Sequence, residues 1–252
     1  MKNLFTKNKT YTFISVVFLI ILWKAGSLMV SSEFILPSPE KTFFSLIQLT
    51  TEPEFFNTIG STILRGLLGF FISFILALSL GIFAGIQEKF RAFLQPLLVT
   101  IRSTPVISLI LLALIWFNVN QVPVFIALLT MFPFICTNII DGIRNVDHDL
   151  IHMAQVYRIR NKNIIRHIYI PAIMPYIFSG TSSAMGFGWR AIIIGEVLSQ
   201  PTYGIGTLMQ NAQTYLLTDR LIAWTVLAII ISYFFDLLIR FIEKQSITWK
   251  QT

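Results

Sequence analysis

Charge is scarce in this chain. Only 12% of its 252 residues are Asp, Glu, Lys or Arg, against roughly 25% in soluble domains, which excludes an ordinary water-soluble fold. A single cysteine, Cys136, excludes an internal disulfide and a cysteine-rich metal centre. The three histidines do not pair at metal-ligand spacing, so no metal site is expected. Signatures of chemistry are missing too. There is no G-x-x-x-x-G-K-[ST] loop to hold ATP, no H-E-x-x-H and no G-x-S-x-G. No carboxylate pair is placed on a common face for acid–base work. No catalytic residue and no cofactor are expected, and the chain has no recognisable means of using ATP itself.

What the chain has in excess is apolar surface. Hydrophobic residues make up 55% of it, the mean hydropathy is +0.73, and the excess gathers in runs near or above the ~20 residues that cross a bilayer. Six spans are expected, at about 11–30, 59–86, 93–117, 122–140, 172–198 and 221–242. They form one all-α, polytopic membrane domain over 1–252. The first run has a basic start, but it is too long for a signal-peptide core and lacks a small-x-small cleavage site, so a permanent anchor is expected. The 23 phenylalanines read as lipid-facing and interfacial packing. Glycines such as Gly81 and Gly85 allow close helix approach, and Gly81-x-x-x-Gly85 is a weak signal for a dimer contact.

The net charge of +7 does not point to nucleic acid, because the cations sit at the ends of apolar segments rather than along one face. It is a topology signal. With the N-terminus inside, thirteen of the 19 basic residues fall on the inner side: Lys2, Lys7, Lys9, Lys89, Arg91, Arg144, Arg158, Arg160, Lys162, Arg166, Arg240, Lys244 and Lys250. The outer segments hold Lys41 and Arg220, while Glu33, Glu40, Glu52 and Glu54 crowd the first outer loop. The positive-inside bias places both termini in the cytoplasm.

Charges within the spans need polar surroundings, since one at mid-bilayer costs several kcal/mol. Lys24 and Arg65 are expected to snorkel to an interface. Arg102 stands in Ile101-Arg102-Ser103-Thr104-Pro105, where proline breaks the helical ladder. It either lines a cavity or satisfies freed carbonyls and lipid phosphate. Arg190 and Glu196 are six residues apart, about 9 Å along a helix and on different faces, so each needs a partner elsewhere. Glu196 either meets the solute path or is a buried charge paired to another helix. Asp236 and Arg240, four apart, can pair directly.

The segment 138–171 is polar and basic between two apolar runs, so it lies in water on one face. Leu150, Ile151, Ala154 and Val156-Tyr157 recur at helical spacing, as do Ile164, Ile165 and Ile168 before Pro171. A short exposed amphipathic helix in a loop over 141–171 is a docking element for a soluble partner.

The same segment resembles the cytoplasmic coupling loop of ABC-importer permeases. Ala154 stands at the second alanine of the family's acidic-Ala-Ala pattern, and Ile168, Ile170 and Pro171 at its I-x-L-P. Asn138, Gly142, Arg144, Val146-Asp147 and Leu150 are similar to the lead-in of the subgroup importing sulfonates, taurine, nitrate or thiamine precursors. Leu36-Pro37-Ser38-Pro39, Gly188-Trp189-Arg190 with Glu196, and Gly204-Ile205-Gly206 extend the likeness over nearly the whole chain. Three positions depart from the pattern: His152 for the glutamate, Met153 for the first alanine and Arg158 for the glycine.

The resemblance implies a type I ABC-importer permease in a bacterial inner membrane. Two copies would pair as a homodimer, each carrying an ATP-binding ABC subunit, and an extracytoplasmic solute-binding protein would deliver the solute. Asp147, Leu150, Ile151, His152, Ala154, Tyr157 and Arg158 form the expected docking helix. Arg102, Ser103, Thr104, Trp189 and Glu196 are the expected polar or aromatic contacts of the solute path. The alternative is an ion-coupled carrier or channel working alone, which needs midplane carboxylates and two related halves. The chain offers few such carboxylates and no clear internal repeat.

Overall fold

The structure, a computed structural model, describes residues 2–30 and 32–246; Lys250, counted above among the inner cations, lies outside them. Every regular element among the described residues is helical. In chain order they are α1 (Lys2–Val30), α2 (Pro39–Thr50), α3 (Phe55–Ile86), α4 (Glu88–Ser103), α5 (Val106–Trp116) and α6 (Val122–Arg144). There follow α7 (His148–Val156), α8 (Asn161–Ile164), a π-turn at Ile165–Tyr169, α9 (Ile170–Ser199), α10 (Ile205–Thr214) and α11 (Thr218–Ser246).

Among the described residues, four helices are long and apolar enough to cross a membrane, in the stretches Phe13–Val30, Phe55–Ile86, Val122–Arg144 and Thr218–Ser246. The expected span at 93–117 is not one straight helix. It is α4 and α5, bent by 98° at Thr104-Pro105, because proline has no N–H to continue the ladder and crowds the preceding turn. At 30 residues, α9 is about 45 Å long, ample for a bilayer. Its glycines, hydroxyls, Arg190 and Glu196 leave it less apolar than the other spans.

The chain divides into two compact units. The first joins Met1–Asn57 to Leu208–Ile229. Here the Leu36-Pro37-Ser38-Pro39 motif has a physical role. Ser38 caps α2 by accepting from the Lys41 amide at 3.3 Å, and Pro39 fills the first turn, where no N–H is needed. The carbonyls of Leu36 and Pro37 accept from Ser27 Oγ (3.0 Å) and Trp23 Nε1 (3.1 Å) of α1. Lys24, expected to snorkel, reaches the exposed Glu40 at 2.8 Å. Ser45 of α2 donates to Asp219, and Arg220 pairs with Glu52 at 2.9 Å. The amphipathic α2 carries no signal that the hydropathy reading used, because its apolar stripe is short and half its residues are polar.

The second unit spans Thr58–Thr207 and Ile230–Thr252. Its centre is α6, whose Val122, Ile126, Met131, Ile135, Ile139 and Cys136 are fully buried; Cys136 is a core residue. Close approaches fix the helix directions. A Cβ on Gly69, Gly81 or Gly85 of α3 would collide with Ala127, Ile139 or Ile143 of α6, so α3 and α6 run parallel. The Gly81 and Gly85 stripe thus packs within the chain and is not free for a dimer contact. Gly142, Asn138, Met131 and Pro123 of α6 meet Tyr176, Gly180, Gly188 and Gly195 of α9 in reverse order, so these two are antiparallel. Two successive parallel helices require the chain to return between them. The bent α4–α5 pair makes that return, and it therefore counts as a crossing. Asn138 and Gly142 of the lead-in are accordingly helix-packing residues.

Candidate functional site

The loop after α6 is built as a rigid helix. α6 runs to Arg144, a turn beyond the expected boundary, and Val146 is buried. Asp147 then caps α7, its carboxylate accepting from the Asp149 amide at 2.8 Å, with Asp149 in the first turn favoured by the helix dipole. The other end closes with a Schellman motif: Ile159 N–H donates to Ala154 O and Arg158 N–H to Gln155 O, both at 2.9 Å. Arg158 takes φ +54° to do so. The family's glycine at this position has the same cause, since a left-handed residue closes the helix and glycine adopts that conformation without steric cost.

The expected docking set divides by face. Ala154 is only 2% exposed and so seats α7 on its own chain; it does not present a surface to a partner. Ile151 is half-buried. Leu150, Met153, Val156 and Tyr157 form an apolar stripe at helical spacing that points outward, with Val156 80% and Tyr157 75% exposed. His152 and Arg158 are exposed beside it, as is Asp147 at the cap. Met153 and Val156 were not in the expected docking set, although Val156 stood in the stripe read from the sequence.

Past α7, the chain re-enters a continuous helical run from Asn161 through the π-turn into α9. The π-turn lies directly before Pro171, whose missing donor interrupts the ordinary ladder.

Of the expected path residues, three gather at the break after α4. Arg102 is exposed and stands 5.3 Å over the Phe134 ring of α6, a cation–π contact. Phe134 in turn stacks on Phe187 of α9, ring centroids 4.6 Å apart. Ser103 and Thr104 return their hydroxyls to the carbonyls of Val99 and Thr100 in the last turn of α4, at 2.8 and 2.7 Å. Trp189 and Glu196 lie elsewhere on α9 and are buried. Trp189 packs on Phe235. Asp236 and Arg240 pair at 2.7 Å, as their spacing predicts, and Ser182 donates to Asp236 at 2.8 Å.

Glu196 is fully buried, and its partner is Arg65, expected above to snorkel. Arg65 is only 9% exposed and donates through Nη1 to Glu196 Oε1 at 2.7 Å and to Tyr203 O at 2.6 Å. Its Nη2 donates to Asn120 Oδ1 at 2.9 Å. The Thr62 hydroxyl lies 3.0 Å from both carboxylate oxygens and accepts from Ile205 N–H at 3.0 Å. Gly206 N–H completes the set, donating to Glu196 Oε2 at 3.0 Å. The carboxylate thus caps the first turn of α10, which supplies orphan donors and the positive end of a dipole. Thr62 and Arg65 share a face of α3, and that spacing is the only sequence signal for this cluster.

The binding-protein-dependent transport system inner membrane component family matches residues 77–247. The putative aliphatic sulfonates transport permease protein SsuC of Bacillus subtilis is 27% identical over 237 residues, covering 93% of this chain and 85% of the relative. The bicarbonate transport system permease protein CmpB of Synechococcus elongatus is 31% identical over 188 residues, covering 68% and 67%. Among solved structures, an inward-facing MetNI methionine ABC transporter matches with a TM-score of 0.63 at 16% identity, covering 78% of this chain and 97% of that one. That likeness concerns the fold.

Proposed function

The chain belongs to the binding-protein-dependent transport system inner membrane components, and from that membership we propose that α7 is the element through which a separate ATP-binding subunit drives it. It is a multi-pass permease component of an ABC import system in the inner membrane. One observation carries the proposal: a capped helix holds the apolar stripe Leu150, Met153, Val156 and Tyr157 out in water, while Ala154 anchors it from beneath. Exposed apolar stripes of this kind mark partner sites, and a permease without an ATP motif needs a partner that has one. The whole of 1–252 acts as one permease domain, with both termini and α7 in the cytoplasm, in keeping with the distribution of cations. Two copies pair, and a solute-binding protein delivers a small solute to the opposite face. The permeases for aliphatic sulfonates and bicarbonate among its relatives favour a small anion. Arg102, Ser103 and Thr104 at the α4–α5 break are the path residues open to such a solute; Trp189 and Glu196 support the path from within.

The test is co-purification of the complex with its ATP-binding subunit. Leu150→Asp and Met153→Asp lose the subunit while the permease still inserts in the membrane. Ala154→Arg loses it as well, by unseating α7. Retention of the subunit and of ATP-dependent uptake in all three variants would overturn the docking assignment. Uptake that needs no ATP and stops with an uncoupler would favour an ion-driven carrier.

A further inference from the structure

Between α4 and α6 lies a crevice of about 130 Å³ lined by Arg91, Gln95, Arg102, Thr137 and Asp141, with aliphatic walls that include Leu98. Its lining runs from Arg91 in the first turn of α4 to Arg102 in the last, and includes Asp141 in the last turn of α6. Eleven residues, about 16 Å of helix rise, separate the Cα atoms of Arg91 and Arg102, and both side chains reach into the lining of the same crevice.

The donors here are not used up. Arg91 Nε is buried and has no hydrogen-bond partner, and such groups ordinarily have one. The same side chain is held by Glu88, which accepts from Nη2 at 3.2 Å, so Nε is fixed in place. Glu88 also faces Arg144 at 3.8 Å. Thr137 gives its hydroxyl proton to Pro133 O at 2.8 Å. Arg102 is held over Phe134 at 5.3 Å, a contact that engages the guanidinium face and leaves its edge donors free. The lining itself holds these two cations and one carboxylate, Asp141, while Glu88 engages Arg91 through Nη2 and leaves its Nε without a partner.

We infer that this crevice is an oxyanion subsite on the α4–α6 wall of the solute path, with Arg91 and Arg102 as its donors. The volume suits the head of a small sulfonate, carboxylate or hydrogencarbonate and is too small for a heterocyclic ring system with substituents, given that water occupies about 30 Å³ in the liquid. Arginine suits planar and trigonal oxyanions because its N–H groups form a fixed fork. The assignment rests on the reading of the chain as an anion permease and deepens it by naming the site and the solute class. A lipid phosphate shares the same chemistry, and the experiment separates the two.

The test uses the permease complex with its ATP-binding subunit in nanodiscs of phosphatidylcholine, with and without phosphatidylglycerol. Methanesulfonate is titrated and binding is read by calorimetry, with trimethylammonium as the control. Methanesulfonate binds the native complex and trimethylammonium does not. Arg91→Gln and Arg102→Gln each weaken binding at least ~10-fold, the loss expected for a charge-assisted hydrogen bond. Asp141→Asn tightens it, a gain that a misfolded variant cannot produce. Equal binding in native protein and the two arginine variants overturns the subsite, as does no binding at all. Binding that phosphatidylglycerol abolishes assigns the crevice to a lipid headgroup and overturns the solute role. ATP-driven uptake by the same complex reconstituted in sealed proteoliposomes is measured in parallel. If uptake fails while binding follows the arginines, the permease reading fails alone; if uptake proceeds and binding ignores the arginines, the subsite fails alone.

Discussion

Arg65 and Glu196, 131 residues apart in the chain, meet at 2.7 Å in the buried interior of the second unit. Their pairing joins α3 to α9, and through the Gly206 amide and Tyr203 carbonyl it also holds the connection into α10. Gly204 lies so close that a Cβ there would sit 2.7 Å from the Glu196 carboxyl carbon. The Gly204-Ile205-Gly206 motif is therefore explained by the carboxylate that it surrounds.

Removing one partner leaves the other charge buried and alone, which costs about 3–5 kcal/mol. Glu196→Ala and Arg65→Ala are each expected to lower the thermal midpoint of the detergent-purified protein strongly. The double replacement Arg65→Ala with Glu196→Ala should cost less than the two single losses together. A purely additive double-mutant cycle would show that the two side chains do not act as a pair.

Arg158 closes the α7 motif at φ +54°, where an L-residue with a side chain is disfavoured by about 1–2 kcal/mol. Arg158→Gly is expected to stabilise the loop by roughly that amount, less the ~0.5–1 kcal/mol that glycine loses to chain entropy. Hydrogen exchange at the amides of Arg158 and Ile159 should slow. Faster exchange in the variant would mean that the guanidinium, and not the backbone, holds the turn.

Gly85 packs so closely on Ile143 that a Cβ would stand 2.7 Å from its Cδ1 and 2.8 Å from its Cβ. Gly85→Ala is expected to cost about 1–3 kcal/mol through overpacking. Adding Ile143→Ala makes room for the new methyl and should recover part of that loss. No recovery in the double variant would place the strain somewhere other than the α3–α6 contact.

Glu40 is held below its ordinary carboxylate range, first by the hydrogen bond from Lys24. A depressed carboxyl contributes stability above its unfolded value, about 4.3, and loses it as the pH falls through the folded value. The tie between α1 and α2 should therefore loosen in acid and in high salt, because the pair is exposed. Glu40→Gln is expected to flatten that acid dependence when protection of the α2 amides is followed against pH. An unchanged acid limb in the variant would assign it to another group.

Much of this architecture was legible in the chain because hydropathy and cation placement act locally. The spans of α1, α3, α6 and α11, the polar segment with its short exposed helix, and the Asp236–Arg240 pair each depend on residues close together in sequence. The bend at Thr104-Pro105 was legible as a break but not as a 98° turn, since proline removes a donor without specifying where the chain goes next. Lys24 and Arg65 show where local reasoning stops. Both were expected to reach an interface; Lys24 pairs with the exposed Glu40 of α2, whereas Arg65 is buried against Glu196 of α9.

Sequence alone determined that this is a helical membrane protein with an exposed amphipathic helix, because composition and period report burial and exposure directly. Tertiary structure alone decided that Ala154 turns inward while Leu150, Met153, Val156 and Tyr157 turn outward, that Gly85 packs within the chain, and that Arg65 answers Glu196. These are relations between distant segments, and their energy depends on helix directions and close approaches that a linear pattern does not carry.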